Sequence, residues 1–380
     1  MDKENSEKKV LVSLETVLEV SKIPKADRLV ACRVLGYTII VDPTSFGFSI
    51  ENYQSLVGTN GVFFYPDGVV PEALKNQDCF SYLQDSHMGK RIRTIKLKGQ
   101  YSEGLFLPLK TVGTFVDSKM LEVPVGTDLT SLIGIQKYYP PEDTEFEYTE
   151  KEKKEPREPR ERNERSFPLM FPKTDQPHQQ KHIHRLEKAR TMVATLKIDG
   201  QSATFFYDPE TKESGICSRN LKFIKDNYSL QFAQIEHQYK ILQKLETLGR
   251  PLAIRGEIFG GKINGNRLKC TDFRFLVFDV YTWTREEEKY KGHYLPHSDT
   301  VELCRTLQLP MVPVVVEPTA DFSLDVQYWL DKADKLNYDQ VSSTKGLLAE
   351  GLVLKTCDDK FPYISCKVIS RAYSVKHNLN

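Results

Sequence analysis

Through the first third of the chain, short β-rich runs at 9–14, 28–34, 38–41, 61–65, 91–97 and 103–107 are divided by turn residues. Such runs read as strands, and five or six of them in about 110 residues with Gly and Pro punctuation predict a small β-barrel. From 142 to 166 apolar residues nearly vanish, charges of both signs alternate, and Pro156 and Pro159 interrupt any helix. That texture predicts a solvated linker. Beyond it the strands lengthen, at 191–196, 202–207, 252–258, 273–281, 351–355 and 364–369, and residues 232–248 and 325–337 carry helical spacing, with Gly249 stopping the first. The whole is an α+β chain with a first domain at 1–141, a linker at 142–166 and a second domain at 167–380.

Composition narrows the class. The apolar fraction is 39% and no apolar run approaches the length of a membrane span. The first residues are polar and mixed in charge, which predicts a cytoplasmic or nuclear protein without a membrane partner. Seven scattered cysteines without close pairs argue against a disulfide framework and against a zinc site. The net charge of +1 advertises no nucleic-acid binder, but phosphate recognition depends on where cations cluster. One such cluster is Arg91-Ile92-Arg93-Thr94-Ile95-Lys96-Leu97-Lys98, in which alternation along a single strand would put four positive charges on one face. Arg93, Lys96 and Lys98 are therefore candidates for phosphate or RNA contact.

Candidate chemistry begins at Lys197-Ile198-Asp199-Gly200. An ammonium is no nucleophile, so a lysine that attacks phosphorus must lose its proton through burial or neighbouring cations. Asp199 could hold a metal or its bound waters, and Gly200 would let the backbone approach a ligand. Alone, the tetrapeptide also suits a hairpin turn. Five further clusters follow in order: Ser218-Arg219-Asn220, Arg255-Gly256-Glu257-Ile258-Phe259-Gly260, Phe273-Arg274-Phe275-Leu276-Val277-Phe278-Asp279-Val280, Ala349-Glu350-Gly351-Leu352-Val353-Leu354-Lys355, and Ser365-Cys366-Lys367-Val368-Ile369.

That linear order resembles the covalent nucleotidyltransferases, the superfamily of ATP-dependent ligases and messenger-RNA capping enzymes. An OB-like segment in front of the motifs resembles the fifth family of RNA ligases, where an N-terminal OB-fold β-barrel is fused to a minimal adenylation domain of antiparallel sheets and helices. Ile23-Pro24-Lys25-Ala26-Asp27-Arg28-Leu29 and Val62-Phe63-Phe64-Tyr65-Pro66-Asp67 extend the match through the first half. The resemblance implies ATP with Mg2+ or Mn2+ and an RNA substrate with 3′-hydroxyl and 5′-phosphate ends, handled by a monomer. It makes Lys197 the AMP-linked nucleophile, with Leu196, Arg219, Glu257, Phe275, Lys355 and Lys367 contacting the nucleotide. Phe275 takes the purine, with Phe278 the runner-up on the opposite strand face. Asp199, Glu257 and Glu350 are the implied metal carboxylates. The match departs at His178, where relatives carry an arginine for phosphate, and at Ser365, where many carry a first lysine. A DNA ligase or guanylyl-transferring enzyme is the nearest alternative, and a non-catalytic RNA-binding OB protein the one from another class.

Overall fold

In the first half, Val62-Phe63-Phe64-Tyr65 is apolar without alternation because its strand is buried on both faces. Val62 and Phe64 enter a core with Leu14, Phe80 and Ile133, while Phe63 and Tyr65 enter another with Val30, Ile39 and Phe106. A computed structural model describes residues 9–24, 26–86, 88–138, 164–287, 289–357 and 362–378. Its strands form an antiparallel five-stranded sheet in the order Leu105–Pro108, Asn60–Phe64, Val12–Lys22, Val30–Val34, Tyr37–Val41. The long Val12–Lys22 strand serves both cores, with Val12 and Leu14 in the first and Val17 in the second, and a bulge follows Val17.

The stretch expected to be one basic strand at 91–97 is two. Gly89–Arg91 pairs with Gly68–Val70 in one small sheet, and Thr94–Leu97 forms a hairpin with Gln100–Glu103 in another. Arg91 is buried, 3.0 Å from Asp67 and stacked over the Tyr138 ring. The four cations therefore share no face: Arg93 sits half-buried at the break, Lys96 is exposed, and Lys98 occupies the hairpin turn with φ +50°.

The chain divides into two compact units, Met1–Glu142 with Arg371–Asn380, and Asp143–Ser370. The helix Arg371–His377 thus groups with the first unit, not with the second as 167–380 implied; Arg371 lies 5.0 Å from the Tyr101 ring. Of the expected linker, 142–163 lies outside the described residues, and Glu164–Ser166 is a strand paired with Leu221–Phe223.

Two antiparallel sheets make the second unit. Seven strands include Gln201–Asp208, Leu252–Phe259 and Arg274–Glu286 side by side; four include Met192–Lys197, Gly351–Thr356 and Ser365–Ile369. Helices Leu230–Tyr239, Ile241–Leu248 and His297–Thr306 cover one face of the larger sheet, and Val326–Ala333 covers one face of the smaller. The expected helix at 232–248 is broken at Lys240, whose left-handed φ of +50° ends one helix and starts the next; Gly249 closes the second. All seven cysteines are free thiols, and five are buried. Among the described residues, no helix is long and apolar enough to cross a membrane.

Candidate active site

The tetrapeptide 197–200 is no hairpin. Lys197 ends a strand of the smaller sheet, and Gln201 begins one of the larger, so the chain crosses between sheets there. Gly200 is required by that crossing: a Cβ on it would lie 2.2 Å from the Ile258 carbonyl oxygen. The expected close approach is thus to the Glu257 strand. Register fixes the rest. Lys197 pairs with Gly351, Thr195 and Lys367 both pair with Val353, and Val193 and Ser365 both pair with Lys355. Side chains of paired residues share a face, so Lys197, Lys355, Ser365 and Lys367 project from one side of the smaller sheet. The helix Val326–Ala333 packs on the other, with Met192, Ala194, Leu352 and Leu354. Leu196 points to that second side and is buried, and its N–H donates to Pro313, so its side chain does not share the Lys197 face.

Lys197 Nζ lies 2.7 Å from Glu350 Oε2. Burial alone would lower the lysine pKa, but Glu350, Glu257 and Asp199 outweigh it and raise it. These carboxyl groups stabilise an ammonium, the reverse of the activation expected from burial. Glu257 and Glu350 are strained in turn: burial pushes Glu257 up to about 8, opposed by Lys197 and reinforced by Glu350 and Asp199, and burial also raises Glu350. Asp199 accepts from Arg267 Nη1 and from Asn264 Nδ2, both at 2.6 Å. Sequence reading missed both partners, which stand in the loop after Phe259 and belong to no motif. Among the described residues no three metal-ligating side chains stand together for direct coordination. Glu257 and Glu350 nevertheless set two carboxyl groups beside one amine, and that donor set fits a hydrated divalent cation.

Two nucleotide contacts expected from sequence fall elsewhere. Phe275 is 0% exposed and packs with Phe205 and Tyr239 in the helical core, because its partner Ile258 faces that core. Phe278, beside a bulge in the same strand, lies 5.8 Å by its ring centroid from Lys355 Nζ. Lys355 itself is buried in an ion pair, 2.9 Å from Asp279, and donates to the Phe278 carbonyl at 2.6 Å. It joins the two sheets and is already satisfied.

Arg219 and Lys367 meet on one oxygen of Asp175, at 3.0 and 3.8 Å. Asp175 stands in a segment that also bonds Thr174 to Ser202 and Pro177 to the Lys367 N–H, and sets His178 beside Lys367 in a parallel bridge. Asp175 carried no signal of its own in the sequence.

A family model for RNA ligase matches residues 190–369, and one for an OB-fold domain matches 11–109. Solved structures of Naegleria gruberi RNA ligase superpose over nearly the full length. A Glu-to-Ala variant with ATP and manganese is 27% identical, covering 97% of this chain and 100% of its own, with a TM-score of 0.74. The chain's second unit is thus similar to RNA ligases and its first to an OB-fold domain. The same Naegleria enzyme with pyrophosphate matches at 27% identity, 97% and 99% coverage and a TM-score of 0.74; a Lys-to-Met variant with AMP and manganese matches at 27%, 98% and 100%, and 0.75. No curated protein matches this chain in sequence. Its ligase match opens just before the Lys197 strand and closes on Ile369, and so takes in every strand of the site.

Proposed function

We propose that this protein is an ATP-dependent RNA ligase that seals 3′-hydroxyl and 5′-phosphate RNA ends, with Lys197 as the residue that carries AMP. The observation that carries the reading is Lys197 held 2.7 Å from Glu350, at the one end of its strand where Glu257 and Asp199 also bear on it. Lys197 Nζ attacks the α-phosphorus of ATP, a phosphoramidate forms and pyrophosphate leaves. AMP then passes to the 5′-phosphate of an RNA strand, and a 3′-hydroxyl attacks that activated phosphate with release of AMP. A divalent cation, when bound near Glu257 and Glu350, would offset charge on the phosphates. The protein's own part is positional. Glu350 is the group placed to receive the ammonium proton, Lys367 and Arg219 supply fixed cations for phosphoryl oxygens, and Phe278 replaces Phe275 as the aromatic for the purine.

The enzyme is read as a cytoplasmic or nuclear monomer, with Lys96 and Lys98 of the first unit as exposed contacts for RNA phosphate. A ligation assay with ATP and magnesium, comparing strands that end in ribose or deoxyribose on the 3′-hydroxyl side, tests the substrate class. Strong preference for ribose is expected. Equal sealing of all-DNA ends would move the assignment to a DNA ligase.

A further inference from the structure

The segments that carry Lys197 and Glu350 converge on one buried phenol. Tyr338 is 0% exposed, and its hydroxyl makes three bonds to the backbone. It accepts from the N–H of Asp199 at 3.1 Å and from that of Glu350 at 3.0 Å, and it donates to the carbonyl of Lys197 at 3.0 Å. A hydroxyl offers one donor and two acceptor positions, so all three are used. These backbone groups lie where two strands leave their ladder: Lys197 is the last residue of its strand and Glu350 precedes Gly351–Thr356. Polar backbone groups at such a point need another partner or they are buried unsatisfied. The phenol is held from behind, since Tyr338 N–H donates to Leu347 at 2.8 Å, Ala349 N–H to Leu336 at 2.9 Å, and Asn337 bridges Leu348.

We propose that Tyr338 is a positioning residue for AMP attachment, fixing the separation of Lys197 and Glu350 by tying the backbone of both to one hydroxyl. The inference rests on the reading of Lys197 as nucleophile. Tyr338 touches no reacting atom; it acts through the two residues it holds. No part of a motif marks it, and it stands 141 residues from Lys197.

Tyr338→Phe keeps the ring and removes the three bonds. The test is single-turnover formation of the AMP-linked protein from labelled ATP, across ATP concentrations. A saturating rate lower by about 10- to 100-fold, with half-saturating ATP little changed, is expected of a displaced nucleophile. Leu330→Ala, in the apolar core on the other side of the same sheet, serves as the stability control and should keep the rate per folded molecule. A wild-type rate in Tyr338→Phe, a defect confined to half-saturating ATP, or an equal loss in Leu330→Ala would each overturn the proposal. If Tyr338→Phe does not fold, hydrogen exchange on the wild type decides. Asp199 and Glu350 amides protected like the flanking strands support the role; rapid exchange at both refutes it. Wild-type protein that takes no label would fail the ligase reading itself, and this proposal with it.

Discussion

Lys197 and Lys355 project from the same face of the same four-stranded sheet, and the protein treats them oppositely. Lys355 is buried against one matched carboxylate, Asp279, which also accepts from Tyr363 at 3.0 Å, and it gives a second bond to a backbone carbonyl. Its charge is neutralised one for one. Lys197 faces Glu350 with Glu257 and Asp199 close enough to raise its pKa, and the burial that draws these groups together pushes Glu257 to about 8. A matched pair makes a sheet-to-sheet tie, whereas an amine among surplus carboxylates is a site that changes state when a phosphate or cation enters.

That contrast can be broken most forcefully at Lys355. Lys355→Met leaves Asp279 buried without its cation and should cost about 3–5 kcal/mol of unfolding free energy. Denaturant melts measure it, and a loss below the range of a surface pair would show that the tie is unimportant. Next in size is Phe278→Ala, which removes the aromatic beside Lys355 and should raise half-saturating ATP by about 10-fold or more, as loss of base stacking worth about 1–3 kcal/mol requires. Phe275→Leu should lower stability and leave ATP binding alone; the opposite pattern would restore Phe275 as the purine partner. Asp175→Asn is a smaller change. Its pairs with Arg219 and Lys367 are half-exposed, worth about 0.2–1 kcal/mol, so releasing both cations should tighten 5′-phosphorylated RNA by up to about fivefold in low salt. Weaker binding would instead make Asp175 a holder of those cations.

A separate effect is on pH dependence. Glu257 has a folded pKa raised to about 8 from the ordinary 4.5, so the folded protein keeps a proton that the unfolded chain has lost. This contribution to stability is fully present below pH 4.5 and fades as pH rises through about 8. Melting temperature of the apo protein should therefore carry a downward component between pH 5 and 8 that Glu257→Gln flattens, roughly the span between those two pKa values. An unchanged slope would place Glu257 in a more hydrated setting.

Strands were the legible part of the fold, because β-rich runs and turn residues are local: 252–258 and 364–369 were expected, and Leu252–Phe259 and Ser365–Ile369 are found. The order of the six motifs likewise marked Lys197, Glu257, Glu350 and Lys367, which the fold brings near one another. What escaped reading depends on long-range register. Phe275 and Phe278 are alike in sequence, and only pairing with Ile258 sends the first into the core. Lys355 looked available because Asp279, its partner, is 76 residues away. The basic run at 91–97 looked continuous because nothing local shows that Arg91 turns inward to Asp67. Tyr338, Arg267 and Asp175 act through backbone groups or charges far away in the chain, and no spacing rule reaches them.

The central claim is that the crowded lysine, and not the matched one, carries the nucleotide. Incubating the protein with α-labelled ATP and magnesium, denaturing it and mapping the labelled peptide tests this most directly. One acid-labile AMP on Lys197 is expected, with complete loss of label in Lys197→Ala and ATP still bound. AMP on any other residue, or a Lys197→Ala protein that still takes label or seals RNA, would contradict it.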